Sequence, residues 1–582
     1  MFNRLVSQFS YLQRMNLNLK AQAQNTFDAI VVGTGVSGGW AAKELTEKGL
    51  KTLVLDRGRD VKHGEYPTTS LDPWQLPHGG QMTAEERKFR PVQSRTGWIG
   101  QTNMHWFVND SEHPYQETKP FDWIRGYHVG GRSITWGRQT YRLSPMDFEA
   151  NGKEGIGVDW PVRYEDIAPW YDHVESFIGV SGQAEGLPQL PDGKFLPPME
   201  LNCVEKELRN KVAEKFNGRV VTIGRVAHLT APLAHDPSRG VCQSRNMCDR
   251  GCPYGAYFSS NSSTLPAAMK TGNMTLRPNS VVHSVIYDEQ KQKAVGVKVI
   301  DAVTKEEVEF YAKVIFLNAS TLGSTFILMN STSSRFPNGL GNSSDQLGRN
   351  LMDHQYRAGA EGKFDGFEDS YYIGRRPNGI YIPRFRNVGK DKRTDYLRGF
   401  GYQGQATRAS WARGVAELSV GADLKDLVTA PGGWSLGITG FGECLPYSEN
   451  RVSLNRNEKD PFGLPLLTVD ATWRENEKAM REDMKIAAAE MLEAAGFKGV
   501  NTYDAPNNIG LGIHEMGTAR MGKDPKTSVL NKWNQVHEAP NVFVTDGSFM
   551  TSSACQNPSL TYMAFTARAA DHAVNELKKQ NL

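Results

Sequence analysis

The sequence predicts a chain of mixed α/β and α+β class: a β-α-β unit near the N-terminus, joined to a second region built on a large, mainly antiparallel sheet. Three stretches predict it. FDAIVVGTGVSGGWAAKELTEKGLKTLVLDRG, residues 27–58, runs from a β-branched strand through a glycine turn into a helical pattern and out into another apolar run. Between 280 and 318 the chain, from VVHSVIYDEQ to VIFLNA, alternates in the strand period with turn-like breaks, so it reads as a small antiparallel meander ending in a buried strand. Residues 375–475 carry the short runs GIYIPRF, VAELSV, GWSLGITGFGE and RVSLNRN, which together suggest the large antiparallel sheet.

Helices fill the spaces between. DWPVRYEDIAPWYDHVESFIG reads as a turn and a helix, ELNCVEKELRNKVAEKFN as a second helix, and TLGSTFILMNS as a helix after the meander. ENEKAMREDMKIAAAEMLEAAGFKG, 475–499, has apolar positions at helical spacing and Gly496 as its stop signal, and LTYMAFTARAADHAVNELKKQ closes the chain as another helix. Residues 60–120 are rich in Pro, Gly, His and aromatics with little periodicity and read as long loops draped over the scaffold.

Composition bounds the function. With 582 residues, 39% hydrophobic and 23% charged, the chain can bury a large core in two or more domains, and general disorder is excluded. A net charge of +3 from 67 basic and 64 acidic side chains makes no field that would attract a polyphosphate backbone, so nucleic acid is not an expected partner. No window approaches the length of apolar sequence a membrane-spanning helix needs. The first 27 residues carry Arg4, Arg14 and Lys20 without the unbroken apolar core of a secretory signal, and read as a loose arm in which Met15 is an alternative start. A cytoplasmic location is the expectation from that absence.

Gly33, Gly35 and Gly38 form G-x-G-x-x-G between the first strand and the first helix, and Asp56 follows Gly33 by 23 residues at the end of the second strand. In such a turn the first glycine permits the bend, the second lets a pyrophosphate approach the backbone and the third lets helix and strand pack, while the acid accepts ribose hydroxyls. A flexible turn would explain three glycines alone; it would not explain strand, helix and acid together. The motif leaves NAD and FAD both open.

Four segments, GTGVSGGWAAKELTEKG, GYHVGGRSITWGRQTYR at 126–142, HEMGTARMG at 514–522 and NVFVTDGSFMTSSACQNPSLTYMAF at 541–565, together resemble the glucose-methanol-choline (GMC) oxidoreductase family over nearly the full chain. The resemblance implies FAD in a Rossmann-like domain of discontinuous segments, 25–150, 259–355 and 500–582, with substrate against a second domain from 151–235 and 356–499. It places Gly130 and Gly131 beside the flavin phosphates, Val282 at the adenine, and Asp546 and Gly547 over the pyrophosphate and ribityl chain. Some relatives tether flavin through a histidine just before the tryptophan of the 126–142 loop; here Thr135 precedes Trp136, so FAD is expected to be non-covalent. His514 stands where the family keeps its active-site base and Asn557 where it keeps a second His or Asn. Alcohol oxidation asks for such a pair, since an imidazole can take the hydroxyl proton while an amide holds the oxygen.

VCQSRNMCDRGCPYGAYF, residues 241–258, holds Cys242, Cys248 and Cys252, three of only six cysteines. A disulfide would leave one thiol over, a zinc site lacks an obvious fourth ligand, and an iron-sulfur cluster suits three soft thiolates ending in Cys-Pro. The resemblance favours the last: a branch of FAD-dependent bacterial sugar dehydrogenases carries a C-x5-C-x3-C loop that binds a [3Fe-4S] cluster, which makes 236–258 an iron-sulfur loop. Together these features predict an FAD-dependent dehydrogenase of a sugar or glycoside, of glucoside 3-dehydrogenase or glucose, fructose or gluconate dehydrogenase type. Its electrons would leave for a small companion subunit, a cytochrome or a quinone, and co-export with such a subunit would make the location periplasmic. The aromatic loops WGRQTY at 136–141 and GGWSLGITGF at 432–441 are candidate sugar-stacking surfaces. Two alternatives stand beside this reading, an oxidase of the same family with structural cysteines and a flavin-bearing electron-transfer or redox-sensing module.

Overall fold

The computed structural model describes residues 25–370, 372, 379–409, 420–429 and 431–582. The expected arm up to residue 24 and the expected strand VAELSV, save its last residue, lie outside them.

The N-terminal unit forms as its pattern dictates. Strand β1 (Thr26–Val32), helix α1 (Val36–Glu47) and strand β2 (Thr52–Leu55) make a parallel β-α-β turn, with Ile30 beside Leu53 on one side and Ile315 on the other. The strand β1 is flanked because the meander delivers its last member there. Strands β6 (Ser280–Asp288), β7 (Lys293–Asp301) and β8 (Glu307–Leu317) pair antiparallel in sequence, and β8 then runs parallel to β1. With β5 (Met274–Arg277), β16 (Gln535–Val536) and β17 (Ala539–Val544) the sheet has eight strands, its main path running β16-β17-β8-β1-β2-β5. Both faces of its centre are covered, so β1 and β8 end in the buried apolar runs AIVV and VIFL. The C-terminal helix α8 (Ser559–Lys578) and the short α5 (Thr264–Lys270) pack on α1.

A second, six-stranded sheet runs in the order β15-β9-β12-β11-β10-β4. Its members are β4 (Thr222–Ile223), β9 (Gln355–Phe364), β10 (Ile380–Ile382), β11 (Phe400–Arg408), β12 (Trp434–Gly442) and β15 (Lys498–Asp504), and every pairing is antiparallel. Helix α7 (Glu475–Ala494) lies across it, and its Met480, Met484 and Met491 are fully buried against Ile438 and Tyr402. Burying each such side chain contributes about 1.5–3 kcal/mol, so the helix is held by this one face rather than by its propensity. One expectation is corrected here. RVSLNRN does not join the large sheet: it begins strand β13 (Arg451–Lys459), which pairs with β14 (Pro465–Asp470), itself parallel to β3 (Gln116–Glu117) in a separate three-stranded sheet. Its polar alternation is that of a hairpin exposed on one face, and periodicity does not say which sheet a strand enters.

Four further helices are α2 (Pro145–Glu154), α3 (Tyr164–Ile178), α4 (Cys203–Lys215) and α6 (Thr321–Asn330), of which α6 reaches the site. Among the described residues no helix is long and apolar enough to cross a membrane.

The first glycine turn separates packing from space. Gly33 has φ +98°, and a Cβ there would sit 2.3 Å from the Asn318 carbonyl oxygen, while one on Gly38 would sit 2.0 Å from the Gly33 carbonyl oxygen. Gly35 has ordinary φ and open space where a Cβ would go. Gly33→Ala is therefore expected to lose about 1–3 kcal/mol of stability, a fall of several degrees in thermal midpoint, from both overpacking and left-handed backbone. Gly35→Ala, measured by the same melt on the cofactor-free protein, is expected to stay within about 0.5 kcal/mol.

Candidate functional site

A cavity of about 520 Å³ opens between the two large sheets. Its floor is the edge of the eight-stranded sheet, where Gly33, Gly35, Asp56 and Val282 reach the wall, and its far end is closed by Tyr356, Gln403 and Phe441 of the second sheet. Gly131, Asp546, Gly547, His514 and Asn557 also line it, so nine of the eleven residues expected at cofactor or catalytic positions surround one space. Gly38 and Gly130 stand one layer behind, as packing elements.

Thr34 ties three of these parts together. The Gly130 N–H donates to Thr34 Oγ1 at 2.8 Å, and that hydroxyl donates in turn to Asp56. The Gly58 N–H donates to the other Asp56 oxygen at 2.9 Å. Burial pushes the Asp56 carboxyl up to about 6 against these hydrogen bonds. Gly130 has φ +88° and closes against Asn261, so the loop of Gly130 and Gly131 can lie flat over Gly35.

Asp546 lines the cavity, but its oxygens are already occupied. One accepts from the Ser548 N–H at 3.1 Å and its hydroxyl at 2.6 Å, and the other from the Ser324 hydroxyl of α6. Asp546 therefore holds the 547–549 turn on α6 and leaves the Gly547 backbone to face the cavity. A Cβ on Gly547 would meet the Glu515 carbonyl oxygen at 2.4 Å, so this turn and the His514 segment fit only without a side chain.

His514 is aimed by a strained segment. Asp353, fully buried, accepts from the N–H groups of Gly510 at 2.7 Å, Gly512 at 2.9 Å and His514 at 3.0 Å. Burial and the nearby Glu515 charge push its carboxyl up to about 7. Ile513, a β-branched residue, is held at φ +60°, a left-handed conformation costly for such a side chain. The His514 ring meets His354, Nδ1 to Nδ1 at 2.9 Å, and its Nε2 lies 3.4 Å from Asn557 Nδ2. Gln403 Nε2 donates to Asn557 Oδ1 at 2.6 Å. Burial, with His354 and Arg132 alongside, holds the His514 pKa well below its ordinary value.

The cavity fits FAD on two observations. Gly35 is a glycine on the wall that no protein atom requires, which leaves the room beside it for a ligand. Among the described residues Asn318 Oδ1, Glu515 Oε1 and the Tyr562 hydroxyl are buried without protein partners, and all three residues line the cavity. Converging on one cavity, these unpaired atoms offer hydrogen-bonding positions to a polar ligand.

Cys242, Cys248 and Cys252 are free thiols in a half-buried loop clamped against residues 68–71: Thr69 Oγ1 donates to the Gly251 carbonyl at 3.0 Å and Arg250 to the Leu71 carbonyl at 2.9 Å. They stand as neighbours, since Cys248 and Cys252 add to burial in pushing the Cys242 thiol up. Among the described residues no group of three His, Cys, Asp or Glu side chains stands arranged to hold a metal ion, these three cysteines included, and all three thiols are free. The loop touches the cavity through Asp249, which accepts from Asn103 Nδ2 at 3.1 Å. Of the expected aromatic surfaces, Trp136 and Phe441 line the cavity, while Trp434 is buried in the core of the second sheet and Tyr141 stacks on Tyr381.

Sequence reasoning missed Thr34, His354, Asp353, Gln403 and the Arg132–Glu515 ion pair at 2.9 Å. Asp353 and His354 were visible as an acid and an imidazole side by side in LMDHQ, but a dipeptide has no spacing from which to infer a partner 160 residues away.

Comparison with known proteins places the chain in a family. GMC oxidoreductase family models match residues 27–356 and 446–566. A 2-methyl-1,2-propanediol dehydrogenase of Mycolicibacterium austroafricanum is 27% identical over 94% of this chain and 94% of its own. The fructose dehydrogenase large subunit of Gluconobacter japonicus is 26% identical over 95% of this chain and 98% of its own. Among solved structures, pyridoxine 4-oxidase from Mesorbium loti shares the fold with a TM-score of 0.57 at 16% identity, covering 94% of this chain and 98% of that one. With the glycine turn, the histidine at the cavity wall and more than half of the chain matched, this protein belongs to the GMC oxidoreductase family, FAD-dependent enzymes acting on CH–OH donors.

Proposed function

We propose that the chain is a dehydrogenase of a sugar or glycoside hydroxyl, in which His514 takes the hydroxyl proton and Asn557 holds the oxygen. The observation that carries the reading is the position of His514 Nε2, on the cavity wall and beside the Asn557 amide. One alcohol oxygen can lie within reach of both groups, donating to the imidazole and accepting from the amide. Gly33, Gly35, Asp56, Gly130, Gly131, Val282 and Gly547 are the residues that would hold FAD, with Asp546 fixing its turn. Bound FAD supplies the acceptor for the two electrons of the alcohol C–H bond.

A polyhydroxy substrate suits the far end of the cavity, where Gln403 offers an amide and Tyr356 and Phe441 offer ring faces. Fructose in one relative's name and a diol in the other's support it. We take 25–150, 259–355 and 500–582 as the flavin domain and 151–235 with 356–499 as the substrate domain, which puts this end of the cavity between them.

Cys242, Cys248 and Cys252 would hold a [3Fe-4S] cluster, which supplies a one-electron exit. The loop's contact with the cavity at Asp249 supports that role, and the word subunit in the fructose dehydrogenase relative's name supports a small companion. A cytochrome or quinone would then be the acceptor.

An anaerobic panel of sugars and glycosides is expected to bleach the flavin absorbance of the wild type, with the product identified by mass spectrometry. His514→Ala is expected to keep its flavin and lose about 10²–10⁴-fold in bleaching rate; bleaching at the wild-type rate would remove His514 as the base. Because the base form of His514 persists above its lowered pKa, kcat/KM is expected to be flat upward from its ordinary value of 6.5 and to fall only on the acid side. A pH–rate profile breaking above 6.5 would contradict this. Anaerobically purified protein is expected to contain iron and acid-labile sulfide, and Cys248→Ser to lose both; their absence from the wild type would leave the cysteines structural and favour the oxidase.

A further inference from the structure

We infer that His354 sets the tautomer of His514, fixing the hydrogen on Nδ1 so that the Nε2 lone pair faces the cavity. The inference rests on the reading of His514 as the proton acceptor and adds a positioning residue to it.

The argument starts from an atom whose role is unambiguous. His354 Nε2 lies 2.8 Å from the carbonyl oxygen of Ala554. A carbonyl oxygen only accepts, so Nε2 carries the hydrogen. His354 is fully buried, and burial holds its pKa down to about 4, which keeps the ring neutral in the working range. A neutral imidazole has one N–H, so His354 Nδ1 is a bare acceptor. Facing it at 2.9 Å is His514 Nδ1. Two bare nitrogens at that distance would repel, so His514 Nδ1 must donate, and its Nε2 is left with the lone pair.

The other end of the chain of contacts agrees. Gln403 Nε2 donates to Asn557 Oδ1 at 2.6 Å, which turns the Asn557 NH2 toward His514 Nε2 at 3.4 Å. A donor facing Nε2 is compatible only with a bare Nε2. The Ala554 carbonyl is itself fixed by a left-handed residue, Ala554 at φ +54°, beside Ser553, whose hydroxyl donates to the Cys444 carbonyl at 3.0 Å. The consequence is chemical. An unconstrained neutral histidine favours the hydrogen on Nε2, the form that cannot accept a proton there, and His354 removes that choice. When the alcohol O–H bond breaks and the proton moves to His514 Nε2, the His514 Nδ1–H goes on donating to His354 Nδ1, so the ring need not rotate.

The test is ¹⁵N spectroscopy of histidine-labelled protein, flavin-free and flavin-loaded, with His514 assigned from His514→Ala. The wild type is expected to show the hydrogen on His514 Nδ1 in both states; a hydrogen on Nε2 would overturn the inference whatever the activity. His354→Leu is expected to lose the Nδ1–H signature and about 10²-fold in kcat with KM within about twofold. His354→Asn, whose Oδ1 can accept at the position of Nδ1, is expected to recover most of both. Should His354→Leu fail to fold, the wild-type spectrum and His354→Asn still decide. Unchanged kcat and spectrum in folded, flavin-loaded His354→Leu would sink the role of His354 while leaving His514 as the base, whereas wild-type kcat in His514→Ala would sink the base and leave the tautomer assignment intact.

Discussion

The site depends on one buried carboxylate. Asp353 gathers three backbone N–H groups from residues 510–514, a segment that would otherwise carry unpaired donors into the interior. It sits directly before His354 and strand β9, so the same short piece of chain that opens the second sheet also fixes the loop carrying His514. Bridging of Met352 to Met516 locks the two segments on the other side of the contact, with main-chain hydrogen bonds of 2.9 Å each way. The left-handed Ile513 is tolerable because the chain on both sides of it is held by the same acid.

From that contact the cavity takes its shape. The eight-stranded sheet brings Gly33, Asp56 and Val282 to the cavity's edge, the 546–549 turn rests on α6, and the second sheet closes the end with Tyr356, Gln403 and Phe441. No one segment contains the site. Its parts come from the beginning, middle and end of the chain, which is the arrangement expected when a ligand lies across the carboxyl ends of parallel strands and meets a second sheet beyond them.

Much of this was legible in the sequence, and for stated reasons. The β-α-β unit, the meander and the two long helices were readable because each carries its own period and its own stop signals, as Gly496 does after α7. The glycine turn and Asp56 were readable because their spacing has a mechanical meaning, and HEMGT and QNP through resemblance. What was not legible was tertiary partnership. RVSLNRN looks like any exposed strand and gives no hint of which sheet it joins. Thr34 sits inside the glycine motif as a variable position, yet its hydroxyl connects Gly130 to Asp56. Asp546 could be placed at the cavity, but only the contacts with Ser324 and Ser548 show that its oxygens are committed within the protein.

The charges around His514 have a common logic. The acids near it are spent on other partners: Asp353 on three N–H groups and Glu515 Oε2 on Arg132. Neither stands in hydrogen-bond contact with the ring, whose nearest groups are a neutral imidazole and a neutral amide. An acid against Nδ1 would stabilise the imidazolium and draw the base toward protonation before substrate arrived. Burial, His354 and the Arg132 guanidinium act in the opposite sense and keep the ring neutral. A neutral ring can be positioned by hydrogen bonds alone, and on the proposed reading of His514 the proton it accepts comes from the alcohol rather than from solvent. The use of an imidazole where a carboxylate could have served is thus consistent with a base that must be empty when the cavity fills.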